Sequence, residues 1–324
     1  MMKLKLWFGA AAVFLCAAFL FAVLLWRTEV YGVYVVEPAV EVVVPKGAGV
    51  KKAAQILAAT KVIKNALWFE VYVRLEGIGG QLKAGEYQFS GETSLKSVAE
   101  KLAAGEVIER SLTIPEGKSL AEIKKIVLEN PYLSGEITLS LQEGDILPET
   151  YHFTRGELRD NVLKRARTAM KKALEEAFAG RTSDLPIKSA EELLILASIV
   201  EKETGVSAER AKVASVFVNR LNLGMKLQTD PTVIYAVTNG EMNLGRPLYK
   251  KDLGYDSPFN TYVYAGLPPA PICSPGKEAL RAAAGPEKTD FLYFVADGVS
   301  GGHRFAKSLS EHNKNVMMYR KSKR

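Results

Sequence analysis

From Leu6 to Trp26 the chain runs 21 residues without a charged side chain. A helix rises 1.5 Å per residue, so this stretch can cross the roughly 30 Å hydrocarbon layer of a bilayer once. It is longer than a usual signal-peptide apolar region, and no small-x-small cleavage site stands just before Trp26. Cys16 follows Val13-Phe14-Leu15, a poor lipobox, so lipidation is not expected. Residues 1–29 therefore read as an uncleaved signal anchor. Lys3 and Lys5 precede the span, whereas Arg27 is soon followed by Glu29, which predicts a cytoplasmic N-terminus and export of everything after Arg27.

The exported part is large enough for a sizeable core. The chain has 324 residues, 48% of them apolar, which fits two soluble domains after the anchor. The net charge of +7 becomes +5 once Lys3 and Lys5 are left behind the membrane. That excess suits an anionic polymer or a membrane surface. It is spread along the chain without an arginine-rich or aromatic-basic cluster, so nucleic acid is not an expected partner. The three His stand at no ligand-like spacing to one another or to Cys, and neither a metal nor another cofactor is expected. With Cys16 in the membrane segment, Cys273 has no exported partner for a disulfide.

Val30 to Val44 is rich in β-branched and aromatic residues and predicts extended chain. Val44-Pro45-Lys46-Gly47 then opens a helix bearing Val50, Ala53, Ala54 and Leu57. The pattern returns at Ile114-Pro115-Glu116-Gly117, ahead of Leu120, Ile123, Ile126 and Val127. In both places a strand ends at a Pro-x-Gly turn and an apolar period of 3.6 follows. Either two small units of similar build or two instances of a common motif would give this. Between them a helix over Leu67 to Leu75, a strand over Ala84 to Phe89 and a helix over Ser94 to Ala103 are expected. A helix is predicted over residues 161–178. The last third alternates short strands (Leu292–Ala296, His303–Phe305) with a helix from about Ser310, so the class is α+β. The expected divisions are 1–29, 30–110 and 111–324.

The densest apolar helix lies inside the third division. Ser189-Ala190-Glu191-Glu192 has the form of a capping box and Gly205 is a natural stop. Leu193, Leu194, Ile195, Leu196, Ile199 and Val200 are apolar on every face, so the helix is predicted to be buried all round. Glu201 lies on the stripe of Leu194 and Ala197. A carboxylate withdrawn from water has its charged form disfavoured, so it holds a proton nearer neutral pH, as a general acid must. The plainer reading is a helix end meeting solvent, with Lys202 neutralising the charge. Glu203, two positions on, faces another way and is expected to be the more solvated of the two.

Downstream, Leu227-Gln228-Thr229-Asp230-Pro231-Thr232, Asn260-Thr261-Tyr262, Gly266-Leu267-Pro268-Pro269 and Ser274-Pro275-Gly276 follow in that order. With Ala197–Thr204, Phe294-Val295-Ala296-Asp297-Gly298 and His312-Asn313, this set resembles the endolytic murein transglycosylase family, the YceG-like lytic transglycosylases, from the membrane segment to about Tyr319. The resemblance implies a catalytic role for Glu201. It also implies that residues 30–110, with their β-α-α-β order, are a LysM-like module, which either binds glycan or spaces the site from the membrane. Glu143-Gly144-Asp145-Ile146-Leu147-Pro148-Glu149-Thr150-Tyr151 resembles a further family segment, in which Glu149 either lines the cleft or closes a turn. Asp230, followed by Pro231, suits a helix start as well as substrate contact. One departure is Pro269-Ala270-Pro271-Ile272-Cys273-Ser274, where the family often has Pro-Gly-x-Ile, so a loop beside the site differs in shape.

What the resemblance implies is lytic cleavage of the β-1,4 bond between N-acetylmuramic acid and N-acetylglucosamine within peptidoglycan strands. One carboxylate, Glu201, serves as acid and then base, with Gln228, Thr229, Asp230, Asn260 and Tyr262 holding the sugar. The bland readings are turn chemistry for Asn260 and core packing for Tyr262. The expected setting is the bacterial cytoplasmic membrane, with the catalytic domain periplasmic or extracellular and wall-synthesis or division proteins as possible partners. Two alternatives stay open. One is a hydrolytic muramidase pairing Glu201 with Asp230 or Glu149; the other is a non-catalytic anchored glycan-binding scaffold.

Overall fold

The computed structural model describes residues 2–241 and 243–322, which fall into two compact units. The first comprises residues 1–110 with 154–156, and the second comprises residues 111–153 and 157–324.

The first unit opens with helix α1 (Met2–Tyr31), followed by β1 (Tyr34–Val44), α2 (Val50–Ala59), α3 (Ala66–Leu75), β2 (Gly85–Thr93) and α4 (Leu95–Ala104). Helix α1 is long and apolar enough to span a membrane, and Phe14, Phe19 and Leu20 on it are all exposed. It continues past Arg27 to Tyr31, so extended chain begins at Tyr34 rather than at the predicted Val30. The reason is packing: Val30 is fully buried in the module's core, which rewards the extra helical turn. Strands β1 and β2 pair antiparallel in a register of Val44 with Gly85, Val42 with Tyr87 and Val40 with Phe89. This register turns Val42, Val44, Tyr87 and Phe89 inward against Ala54, Leu57, Phe69, Val98 and Leu102. The adjacent Glu86 points the other way and is nearly as buried. Its carboxylate accepts from Arg110 Nε at 2.7 Å and from Arg155 Nη1 at 2.9 Å. These charge-assisted bonds hold its pKa below the usual carboxylate range, the bond from Arg110 contributing most.

In the second unit, β3 (Glu109–Thr113) pairs with β4 (Thr150–Thr154), and α5 (Leu120–Glu129) lies between them in sequence. Strand, Pro-x-Gly turn and helix recur at β1–α2 and β3–α5. Both turns place their glycine, Gly47 or Gly117, at φ near +75°, a left-handed conformation that side chains resist. Then follow α6 (Arg159–Ala179), α7 (Ala190–Glu203), α8 (Arg210–Asn222), α9 (Asp230–Thr238) and α10 (Lys277–Ala284). The antiparallel pair β5 (Tyr293–Ala296) and β6 (His303–Ala306) leads into α11 (Leu309–Ser322). Helix α7 is the centre of this unit. Leu193 and every residue from Ile195 to Val200 are buried, packed on Met170 of α6, Val213 and Phe217 of α8, and Leu280 and Ala283 of α10. The whole is a mixed α+β structure with one N-terminal apolar helix.

Candidate active site

The last turn of α7 carries two glutamates in different surroundings. Two residues along a helix turn the side chain by about 200°, so Glu201 and Glu203 cannot share a face. Glu201 is buried, its side chain 6% exposed. Its Oε2 accepts from Gly276 N at 2.9 Å and its Oε1 from Arg210 Nη2 at 3.4 Å, while Arg210 also reaches Glu116. Burial raises its pKa most, the neighbouring Glu116 charge adds to this, and the Gly276 N–H and Arg210 oppose it. These bonds tie the Ser274-Pro275-Gly276 loop to the end of α7. The loop is pinned further where Ser274 N donates to Lys118 O and Gly117 N donates to Ser274 O.

Glu203 is the glutamate of the pair that lines a cavity, of about 370 Å³. Expected to be the more solvated of the two, Glu203 is partly exposed, and its carboxyl faces the start of α9. It accepts a short hydrogen bond from the Thr229 hydroxyl. Burial raises its pKa to about 7, helped by the nearby Asp230 charge and opposed by the Thr229 hydroxyl, His303 and Arg220. Half-protonation near neutrality is the condition for an acid that must later act as a base.

Thr229 is held by a chain of hydroxyls. Its N–H donates to Thr261 Oγ1 at 3.1 Å, Thr261 Oγ1 bonds Thr232 Oγ1 at 2.9 Å, and Thr232 Oγ1 donates to Thr229 O. Gln228, just before it, is one of the non-glycine residues in the left-handed region, at φ +49°. Such a conformation costs on the order of 1–3 kcal/mol and persists where the surroundings fix it. Here Gln228 N donates to Thr261 O, and Arg220 Nη1 reaches Gln228 Oε1 at 3.5 Å. Asp230 starts α9 with Pro231 behind it, and its Oδ1 accepts from the Tyr262 hydroxyl at 2.6 Å. Burial first, and then Asp230, push the Tyr262 phenol well above its ordinary range, so it remains a donor.

Gln228, Asp230 and Tyr262 therefore line the same cavity as Glu203, and Thr229 touches its carboxylate. Asn260 does not line it. It is fully buried, donates to Leu253 O and Tyr255 O, and accepts from Tyr262 N at 2.9 Å, which fixes where Tyr262 stands. Glu149 is not among the lining residues either: it is half-exposed and pairs with Lys277 at 2.7 Å. The cavity is also lined by Arg220, Tyr293 and His312, to which the sequence alone assigns no role. Arg220 of α8 is almost buried, donates to Leu292 O and Leu227 O, and lies over the Tyr293 ring. Tyr293 in turn stacks on His312, with ring centroids 5.3 Å apart. His312 Nδ1 is buried without a hydrogen-bond partner, and burial lowers the ring's pKa, so the imidazole is neutral at pH 7. His312 was visible only as part of a motif; Arg220 and Tyr293 gave no local signal. Asp297, in another motif, closes the β5–β6 turn by accepting from Val299 N and Ser300 N. Among the described residues no group of three or more His, Cys, Asp or Glu is placed to hold a metal.

The cavity thus brings a desolvated acid together with hydroxyl, amide and aromatic side chains, a concave site with a few convergent polar groups of the kind that binds ligands. The profile of the YceG-like family matches residues 42–318, and the chain belongs to that family. It is 33% identical over 331 residues to the endolytic murein transglycosylase of Bacillus subtilis, covering 90% of each chain. The endolytic murein transglycosylase of Streptococcus pneumoniae is 28% identical over 88% of this chain, which spans 59% of that longer protein. A crystal structure of a YceG-like protein from Listeria monocytogenes superposes with a TM-score of 0.53 at 32% identity, covering 86% of this chain and 99% of that one.

Proposed function

We propose that the protein is an endolytic peptidoglycan lytic transglycosylase in which Glu203, rather than Glu201, is the acid and base. The observation that carries this assignment is the setting of Glu203: it lines the cavity, and burial raises its pKa to about 7. Glu201 is occupied by the Gly276 N–H and Arg210. In the proposed reaction Glu203 gives its proton to the glycosidic oxygen as the bond from that oxygen to C1 of the N-acetylmuramic residue breaks. The carboxylate then takes the proton of the C6 hydroxyl while O6 bonds to C1, closing a 1,6-anhydro ring. No water is consumed, so one carboxylate suffices. Thr229 positions Glu203, while Asp230, Tyr262 and Gln228 hold the sugar and its developing charge. Arg220 and the neutral His312, on the Tyr293 face, meet the sugar's polar substituents.

The presence of Asp230 in the same cavity favours one other reading, in which Asp230 activates water and the bond is hydrolysed. Product mass separates the two. Digestion of purified sacculi by the detergent-solubilised protein should give products lighter by one water than hydrolysis would. Glu203→Gln should abolish them and Glu201→Gln should not. Products carrying the mass of added water would assign the hydrolytic reaction, and an active Glu203→Gln would remove Glu203 from the chemistry.

The wider setting belongs to the same proposal. Helix α1 anchors the chain in the cytoplasmic membrane with its N-terminus inside, and the rest works on the wall outside. The β-α-α-β module of residues 30–110 is LysM-like and contributes weak glycan binding. Wall-synthesis or division proteins are its expected neighbours.

A further inference from the structure

We infer that the module formed by β1, α2, α3, β2 and α4 is seated on the outer leaflet of the membrane, with the first turn of α3 at head-group depth. This rests on reading α1 as a membrane anchor. No linker separates anchor from module. Helix α1 is continuous to Tyr31, Val30 is fully buried in the module's core, and the Trp26 ring packs on Trp68 and Tyr72 with centroids 6.0 and 6.2 Å apart. The span and the module therefore share one core.

The 21 uncharged residues from Leu6 to Trp26 extend about 31 Å as a helix, which fills the hydrocarbon layer and leaves Trp26 at its outer boundary. Head-group layers add about 5–7 Å on each side. Trp68, with its ring 6.0 Å from that of Trp26, cannot lie far above this layer. Indole and phenol rings favour this interface, and Trp26, Trp68, Tyr72 and Tyr31 gather here. Beside them Leu67 and Val33 are each 64% exposed. That exposure costs nothing if lipid covers them. Lys64 lies 5.2 Å from the Tyr34 ring and Lys96 lies 5.8 Å from the Tyr31 ring, within reach of anionic phosphates. The partner these features fit is a phospholipid surface containing acidic head groups.

The test uses the full chain with Cys16→Ser and Leu67→Cys, carrying a nitroxide at position 67. It is reconstituted into single-copy nanodiscs of phosphatidylcholine and phosphatidylglycerol. Carbonate-resistant association comes first, and its loss would fail the anchor rather than the seating. With the anchor in place, power saturation should show a ratio of oxygen to water-soluble nickel-chelate access above that of a fully hydrated side chain and below that of a lipid-facing position in the middle of α1, as at head-group depth. Trp68 fluorescence, read with both Trp7 and Trp26 replaced by Phe so that Trp68 is the one tryptophan left, should be quenched more by shallow than by deep spin-labelled lipids, and Leu67→Glu should weaken that quenching. Nickel-chelate access equal to that of a fully hydrated side chain would overturn the seating. So would shielding present only when several copies share one disc, which would assign the patch to a second copy of the chain.

Discussion

At Glu203 desolvation and hydrogen bonding oppose each other, and desolvation wins, leaving the carboxyl near pH 7. A folded-state pKa above the ordinary 4.5 means that the native protein binds more protons than the unfolded chain between about pH 4.5 and 7. Stability contributed by this group is therefore present below 4.5 and is lost as pH rises to about 7. Replacing Glu203 with Gln removes the burden of a buried charge. Thermal melts should show Glu203→Gln gaining on the parent from pH 5 to 7.5 and matching it at pH 4. Glu143 shares this window, its pKa raised to about 7 by burial, so the difference between the two proteins is the informative quantity. Activity should follow the same group. If Glu203 is the acid, as proposed, the rate should fall about 10²–10⁴-fold in Glu203→Gln, as for loss of a general acid. Thr229→Val deletes the hydroxyl that favours the charged form, so the alkaline limb of kcat/KM should move to higher pH. A limb that stays fixed would detach Thr229 from the acid.

Helix α7 places Glu203 by being buried along nearly all its length. Its start is set by Ser189, whose hydroxyl accepts from Glu192 N at 3.2 Å, and Glu192 accepts from Lys188 N at 2.6 Å. Ser189→Ala should cost about 1 kcal/mol in denaturant unfolding. Leu196 is fully buried at the helix centre, and Leu196→Ala should cost about 2–5 kcal/mol. The β1–β2 sheet has a different weak point. The Glu86 carboxyl, depressed by Arg110, contributes stability above the ordinary carboxylate pKa that is lost as pH falls through its own lower value. Glu86→Gln should therefore remove part of the acid sensitivity of the first unit, measurable by hydrogen exchange in β1 and β2.

Across the whole molecule the first unit is discontinuous in sequence, since residues 154–156 belong to it. A fragment ending at Arg110 lacks Arg155, one of the two partners of Glu86. Such a fragment should melt lower than the same unit in the full chain, and Arg155→Ala in the full chain should reproduce much of the loss. If α1 is a retained anchor, the mature protein begins at or near Met1 and resists carbonate extraction. A protease outside the membrane then digests everything beyond about Arg27. A mature N-terminus after residue 20 would exclude this arrangement.

Periodicity and composition determined a good deal unaided. The apolar span, the buried helix at 190–203, both Pro-x-Gly turns and the strand pair near the C-terminus follow from side-chain pattern and from glycine's freedom at positive φ, which are local properties. Which glutamate faces the cavity was not local. Glu201 and Glu203 have similar neighbours in sequence, and only the docking of Gly276 and Arg210 on one side and Thr229 on the other separates them. For Asn260 and Glu149 the sequence allows either a cleft role or turn chemistry, and the structure buries the first, which donates to Tyr255 O, and pairs the second with Lys277. Arg220, Tyr293 and His312 come from α8, β5 and α11 and meet only in three dimensions. Burial and hydrogen-bond partners are properties of contacts between distant segments, and so only the tertiary structure separates the settings of the two glutamates.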